Sequence, residues 1–141
     1  MEPPKTTAYM AVPIGWVEST LADLKQAPMQ GDEGAPDAWL VFVPEMADGV
    51  RDLAAGDDLI VLTWLDRADR DVLVTRPRGD AARPMTGVFS TRSPDRPNPI
   101  GLHRVRVLAT DGLRILVGPL EAVDGTPVLD VKPVLDPVAE R

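Results

Sequence analysis

Three side chains suited to binding an anion or an amide lie close together in the chain, at Arg92, Arg96 and Asn98. Each guanidinium offers a planar fork of donors that matches a carboxylate or a phosphate, and the asparagine amide both donates and accepts. Three prolines alternate with these residues, so the segment cannot easily be helical. A stiffened loop loses little entropy on binding, which favours a ligand-binding loop over the alternative, a surface turn with solvated arginines.

Basic charge is concentrated around this loop, although the chain as a whole is acidic. The net charge is −7, yet residues 76–106 contain seven arginines against Asp80 and Asp95 alone, so this segment carries +5 and the rest −12. An acidic total argues against a nucleic-acid partner, but a focused positive field attracts an anion, either an RNA backbone or a small acidic ligand. A solvated charged face is the other explanation.

Two segments resemble the motifs of a known family. Residues 87–102, GVFSTRSPDRPNPIGL, are similar to the GVFATRS and RPNPIG signature of the TrmO/TsaA family, S-adenosylmethionine-dependent tRNA methyltransferases, and only Ser90 departs from it. A second segment, DGTPVLDVKP from Asp124 to Pro133, resembles the family's DGTPVxDIKP. The two motifs occur in the expected order, and the resemblance extends more weakly over residues 12–133.

The resemblance implies a small β-barrel that binds S-adenosylmethionine and methylates N6-threonylcarbamoyladenosine next to the tRNA anticodon, normally as a homodimer. It implies that Arg92 pairs with the cofactor carboxylate. It further implies that Leu102 contacts adenine and that Glu121 holds the ribose hydroxyls. The residues that match cofactor-binding positions of the family are Pro28, Leu65, Arg92, Leu102, Gly118, Pro119, Leu120 and Glu121.

Other residues match the second substrate. The threonyl carboxylate of the modified base suits Arg96, while Asn98 and Lys132 are expected either to orient the substrate or to secure their own loops. Asp124 is the candidate proton acceptor, and an ordinary Asp-Gly turn is the alternative explanation for it. Attack on a sulfonium methyl mainly requires an in-line nucleophile, so a strong base is not needed.

The chain departs from the family pattern at three places. Met29 replaces an arginine, Asp58 lies where the family has an aromatic-Ser-His sequence, and Asp66 lies where it has His-Gln. These departures and the acidic charge leave two alternatives open. One is a methyltransferase that acts on a small molecule, and the other is a cofactor-binding module without catalysis.

Composition predicts a single, mainly β domain over residues 1–141. The chain is 44% hydrophobic, with 15 prolines and 11 glycines, and it has neither a long amphipathic helix nor an early glycine-rich turn. These features favour a small, non-Rossmann β-barrel with one or two short helices. The absence of cysteine and the single His103 favour metal-free chemistry. Without a membrane-length apolar run or a signal-peptide pattern, a cytoplasmic protein is expected.

Short apolar runs between turn residues predict the individual elements. A helical turn is predicted at 20–26 and a short helix between 45 and 55, opening near Asp48. Asp111-Gly112 predicts a type I′ hairpin between two of the strands. The predicted strands are 10–18, 38–43, 59–65, 72–75, 87–91, 105–110, 113–117 and 128–131.

Overall fold

The computed structural model describes residues 7–22, 34–77 and 80–135. Six strands pair in the order β1-β2-β7-β6-β3-β8, and β1 also pairs with β8, so the antiparallel sheet closes into a barrel. This confirms the predicted small β-barrel. The strands are β1 (Gly15–Glu18), β2 (Ala38–Phe42), β3 (Asp58–Trp64), β4 (Val74–Thr75), β5 (Thr86–Gly87), β6 (Ile100–Asp111), β7 (Arg114–Gly118) and β8 (Pro127–Pro133).

The helices are short. A 3₁₀ turn at Pro44–Met46 leads into the helix α1 at Ala47–Val50, which matches the helix predicted near Asp48, and a second 3₁₀ turn lies at Val88–Ser90. None of the helices within the described ranges combines the length and apolar character that crossing a membrane requires. The helical turn predicted at 20–26 falls mostly outside the described residues, and residues 20–22 are not helical.

The core lies inside the barrel because side chains alternate between its two faces. Along β6, for example, Val105 and Val107 are buried, whereas Arg104 and Arg106 are exposed. Burial of the inward apolar row drives closure of the sheet. The buried core consists of Val17, Ala38, Leu40, Phe42, Val50, Leu59, Val61, Val105, Val107, Ile115, Val117, Leu120, Ala122 and Val128.

The predicted hairpin is confirmed, but its turn is shifted by one residue. Asp111 still pairs with Arg114, so the loop residues are Gly112 and Leu113, and Gly112 has the positive φ of 59°. The register between β6 and β7 slips between Val107 and Ala109. A bulge of this kind inserts one residue into one strand, and it cannot be read from the turn sequence.

Several strand boundaries were predicted wrongly. The largest difference is in β6, which begins at Ile100 rather than at residue 105, so the apolar end of the motif belongs to the barrel. The first strand begins at Gly15 rather than at residue 10, since Pro13 just before it lacks an N–H for pairing. The strand predicted at 87–91 ends at Gly87, because Val88–Ser90 wind into a 3₁₀ turn. The backbone N–H of Thr91 closes this turn on the carbonyl of Val88.

A proline-rich loop, defined here as residues 91–99, leads from this turn into β6. It therefore lies at the barrel end where β6 begins and β3 finishes. The backbone N–H of Leu65 donates to the carbonyl of Pro99 over 2.8 Å, which ties the loop to the end of β3. Strands β4 and β5 form a separate two-stranded ribbon just before the loop.

Candidate functional site

Arg96 holds the proline-rich loop from within. Its Nη2 donates to the carbonyl oxygens of Val88 and Thr91, the latter over 2.7 Å. Its Nε is buried without a partner among the described residues. The guanidinium of Arg96, expected from the sequence to bind an anion, is thus bonded to its own loop instead. Its contact with a substrate stays a prediction.

Arg70 holds the same loop from outside. Its Nε donates to the carbonyl of Pro97 over 2.7 Å, its Nη2 donates to Oδ1 of Asn98 over 3.0 Å, and its guanidinium lies 5.2 Å from the centre of the Trp64 ring. Asn98 thus helps to secure the loop, and its role toward a substrate stays a prediction. Sequence reasoning missed Arg70, because an arginine in the charged run DRADRD is normally solvated.

Arg92 behaves differently from both of these arginines. It is exposed, and it has no hydrogen bond or ion pair with any other residue that the structure describes. It extends from a loop that Arg70 and Arg96 already fix. The guanidinium of Arg92 is therefore available to bind an anion.

Thr63, His103 and Glu121 form a hydrogen-bonded network inside the barrel end. Nε2 of His103 lies 2.7 Å from Oγ1 of Thr63, and its Nδ1 contacts Oε1 of Glu121. The side chains of His103 and Glu121 are 5% and 15% exposed. Sequence reasoning considered His103 only as a poor zinc ligand. Its place in the inward row of β6, between Gly101 and Val105, is the signal that predicts polar partners.

Two glycines make room for polar side chains. A Cβ on Gly101 would lie 2.7 Å from Nε2 of His103 and closer still to Oγ1 of Thr63. A Cβ on Gly118 would lie 2.7 Å from Cγ of Asp37. Gly118 matches a cofactor-binding position of the family, and in the structure its α-carbon packs against this carboxylate.

The residues that follow β7 run alongside β6 toward the network. Gly118 lies opposite Arg106, and Glu121 reaches His103. Pro119 between them is exposed. Leu120 is fully buried, and its N–H donates to the carbonyl of Pro36 over 3.0 Å. The side chain of Leu120 therefore belongs to the core, so only its main chain remains for the predicted cofactor contact.

A groove of about 370 Å³ lies beside Gly118 and Pro119. In it, Nε of Arg106 donates to Oδ1 of Asp58 over 3.0 Å, and this bond holds the pKa of Asp58 below its usual value. The side chain of Arg104 makes no hydrogen bond or ion pair within the described part of the chain, although its charge also lowers the pKa of Asp58, so Arg104 is a second available cation. The groove is lined by Asp58, Arg104, Val105, Arg106, Leu108, Gly118 and Pro119.

Leu102 and Lys132 lie on the outer face of the barrel. Leu102, 46% exposed, is opposite Leu62, which in turn is opposite Asp130. Nζ of Lys132 lies 3.3 Å from Oδ2 of Asp130 on the same strand. Lys132 is therefore separated from Leu102 by β3, and its predicted substrate contact would have to compete with this ion pair.

The remaining predicted residues are dispersed. Leu65 is half-buried beside the proline-rich loop, near the network, while Asp66 next to it is exposed. Oδ1 of Asp124 accepts from the N–H of Ser19 over 3.0 Å, as a turn residue would, and its role as proton acceptor stays a prediction. Pro28 and Met29 lie outside the described residues.

Comparison with known proteins assigns the chain to a family. The model of the tRNA-methyltransferase O N-terminal domain matches residues 16–138. An S-adenosyl-L-methionine-binding protein of Archaeoglobus fulgidus is 42% identical over 120 residues, which cover 85% of each chain. A probable S-adenosyl-L-methionine-binding protein of the same organism is 44% identical over 120 residues, covering 85% of this chain and 32% of that protein.

The fold agrees with this assignment. The crystal structure of TrmO from Pseudomonas aeruginosa superposes with a TM-score of 0.73 at 26% identity, over 97% of this chain and 61% of that one. The chain thus spans about a third of one curated relative and about three fifths of this solved structure. The closed barrel, the two motifs and the family match agree, and the chain belongs to the TrmO family, defined by the tRNA-methyltransferase O N-terminal domain.

Proposed function

We propose that this protein is an S-adenosylmethionine-dependent methyltransferase whose substrate is N6-threonylcarbamoyladenosine in tRNA. The observation that carries the proposal is the state of Arg92, the arginine of the family motif. Arg92 is exposed without a partner among the described residues, whereas Arg96 and Arg70 are hydrogen-bonded to the loop. A loop that is braced by two arginines and presents a third is suited to gripping an anionic group.

Side chains at the barrel end, together with Leu102 on the outer face, suit the chemical groups of S-adenosylmethionine. Arg92 provides a cation for the carboxylate of the methionine portion. Oε1 of Glu121 contacts His103, and its second oxygen has no partner within the described residues, so it can accept from ribose hydroxyls. Leu102 offers an exposed apolar surface for the adenine. A cation, a hydrogen-bond acceptor and an apolar wall are the three kinds of contact that this ligand requires.

Positioning is the main contribution that we assign to the protein. When bound, S-adenosylmethionine supplies an activated methyl group on a sulfonium. The hydrogen bonds from Arg70 and Arg96 hold the loop in shape before any ligand arrives, so little entropy is lost when reactants are aligned. Asp124 is the proposed proton acceptor, with Oδ1 occupied by Ser19 and Oδ2 without a partner in the described part of the chain.

The concentration of arginines around the loop supports tRNA as the second substrate. Phe89, three residues before Arg92, is 82% exposed and offers a ring face on which an unpaired base can stack. Arg96, Asn98 and Lys132 are the proposed contacts for the threonylcarbamoyl portion. We place this activity in the cytoplasm, together with its tRNA substrate.

We also propose that the protein acts as a homodimer. Three apolar side chains of β6 are each close to half exposed on the outside of the barrel, namely Ile100, Leu102 and Leu108. A second copy lying over Leu102 would bury apolar surface and complete the wall of the pocket. Light scattering on the protein as it elutes from a size-exclusion column should give the mass of a dimer. The Leu102→Glu variant should instead give the mass of a monomer.

Titration calorimetry with S-adenosylmethionine tests the cofactor assignment. Arg92→Ala should weaken binding about tenfold or more, because a charge-assisted pair with the carboxylate is lost. Arg51→Ala is the matched control, since this arginine is exposed and, among the residues that the structure describes, its side chain pairs only with the neighbouring Asp52, at 3.5 Å. Equal affinity of wild type and Arg92→Ala would rule out the assignment.

Methyl transfer tests the substrate. Protein and labelled cofactor are incubated with threonylcarbamoylated tRNA, with the same tRNA lacking the modification, and with a metabolite extract. Label in the modified tRNA alone is expected. Label in metabolites alone would identify a small-molecule methyltransferase, and binding without any transfer would identify a non-catalytic module.

A further inference from the structure

The buried network resembles a nucleophile-base-acid arrangement, but its geometry excludes that use. Oγ1 of Thr63, both ring nitrogens of His103 and Oε1 of Glu121 are in line as such a triad would be. Thr63 is completely buried, however, so no substrate reaches its hydroxyl. The only member with appreciable exposure is Glu121, and the network therefore acts on its surroundings through this carboxylate.

The direction of the hydrogen bonds follows from the groups involved. A carboxylate oxygen accepts, so Nδ1 of His103 is the donor to Oε1 of Glu121. In the neutral ring, Nε2 then accepts from the hydroxyl of Thr63, which fixes the orientation of the imidazole. Gly101 leaves the space in which the ring and the hydroxyl meet.

We infer that His103 is a positioning residue that holds the carboxylate of Glu121 in one orientation and directs its free oxygen toward the ribose hydroxyls of the ligand. This inference rests on the proposed cofactor role of Glu121. A free glutamate side chain has several rotatable bonds, and ordering them on binding costs affinity. A carboxylate fixed by a buried histidine is already ordered before the ligand arrives. Thr63 in turn fixes the histidine.

Two substitutions of His103 separate this role from a purely structural one. In His103→Asn the amide nitrogen lies near the position of Nδ1, so a donor to Glu121 is kept. In His103→Gln the amide lies near the position of Nε2, so the contact with Thr63 is kept and the donor to Glu121 is lost. Both variants remove the ring and should lose similar stability, which thermal unfolding checks.

The readout is recognition of the ribose rather than activity. Calorimetry compares S-adenosylhomocysteine with its 2′-deoxy and 3′-deoxy analogues. We expect wild type and His103→Asn to prefer the full ribose by about tenfold, the value of one hydrogen bond to a charged group, and His103→Gln to lose most of this preference. Thr63→Val replaces the hydroxyl with a methyl group and should reduce the preference for the full ribose by a smaller factor. This variant serves as the test if both histidine variants fail to fold.

Each outcome is decisive. Unchanged preference in His103→Gln, or in Thr63→Val where the histidine variants are unfolded, would overturn the inference and leave the proposed function intact. Wild type that binds S-adenosylhomocysteine without preferring the full ribose would also overturn it, while cofactor binding would stand. Wild type that binds neither S-adenosylhomocysteine nor S-adenosylmethionine would overturn the proposed function itself.

Discussion

The barrel-end network and the proline-rich loop are both held by polar contacts, but the contacts differ in kind. In the network, three side chains from separate parts of the chain bond to one another, Thr63 to His103 and His103 to Glu121. In the loop, Arg70 and Arg96 bond mainly to main-chain carbonyls. A carbonyl is present whatever residue carries it, so the bonds from Arg70 and Arg96 depend little on which residues occupy the accepting positions, except at Asn98. The network requires specific side chains at all three positions and the strand register that brings them together.

Glycine-to-alanine substitution should give the largest difference in stability between the two regions. Gly101→Ala places a Cβ 2.7 Å from Nε2 of His103 and closer to Oγ1 of Thr63, inside buried structure. Overpacking of this kind destabilises by about 1–3 kcal/mol. Gly87→Ala, beside the loop, has no atom within 4 Å of the added Cβ and should change stability by less than about 0.5 kcal/mol. Urea unfolding of both variants measures the difference, and equal midpoints would contradict it.

Removal of Arg96 should have the next largest effect. Arg96→Ala leaves the carbonyls of Val88 and Thr91 without their donor, and hydrogen bonds from charged groups contribute about 1.5–3 kcal/mol when well buried. Because Arg96 is partly exposed, a loss near the lower end of that range is expected. Amide hydrogen exchange in residues 88–99 should also become faster. Arg92→Ala is the control and should leave both quantities unchanged. Similar exchange in both variants would refute the assignment of Arg96 as the brace.

Replacement of Arg70 by lysine should give a smaller loss of stability than removal of Arg96. Arg70→Lys keeps the charge, but an ammonium cannot reproduce the fork that reaches both Pro97 and Asn98 while stacking on Trp64. We expect a loss of about 0.5–1 kcal/mol, the range of an exposed cation–π contact. Arg67→Lys is the control, since the guanidinium of Arg67 makes a single long hydrogen bond within the described ranges, from Nη1 to the carbonyl of Ala22 over 3.4 Å. Denaturant titration that ranks the two variants equally would show that the fork is dispensable.

The smallest effect is expected from the ion pair outside both regions. Arg106 lowers the pKa of Asp58 in the folded protein, so the pair contributes stability above the ordinary pKa of aspartate, and that contribution is lost as pH falls through the lowered pKa. Asp58→Asn should therefore flatten the acid side of the stability curve slightly. The pair is exposed and screened by salt, so the change should approach the resolution of a thermal melt. A large, salt-insensitive change would mean that the pair is buried in solution.

Sequence patterns predicted features that depend on neighbouring residues, such as strands and turns. They missed contacts that depend on the register between strands. The strands at β2 and β3 follow from apolar runs between turn residues, and the glycine at 112 predicts the hairpin, because each signal lies within a few residues. The contact between His103 and Thr63 joins residues 40 positions apart. It exists only because Gly101 pairs with Thr63 across two strands. No local pattern contains that register.

For the candidate site, the sequence singled out residue types suited to an anionic ligand, but it did not predict where their side chains lie. Arg92 and Arg96 look alike in the sequence, because both lie in one proline-rich loop four residues apart. Which one turns inward depends on the 3₁₀ turn at Val88–Ser90, whose first carbonyl accepts from Arg96. That turn replaced a predicted strand, so the roles of the two arginines could not be separated in advance. Whether Arg92 contacts the cofactor stays a prediction.

The closure of the barrel is uneven. Strand β1 meets β8 through Gly15 opposite Val128 and Trp16 opposite Pro127, whereas β3 lies along β6 for its whole length. Proline has no N–H to donate, so the pairing of β1 with β8 is the shortest in the barrel. Beyond the paired residues, Val17 donates to the carbonyl of Thr126 and accepts from the N–H of Gly125, and the N–H of Asp124 donates to the carbonyl of Leu21. Closure of the cylinder at its shortest strand pair therefore relies on hydrogen bonds that lie outside that pair, in the turn that follows the segment carrying Glu121.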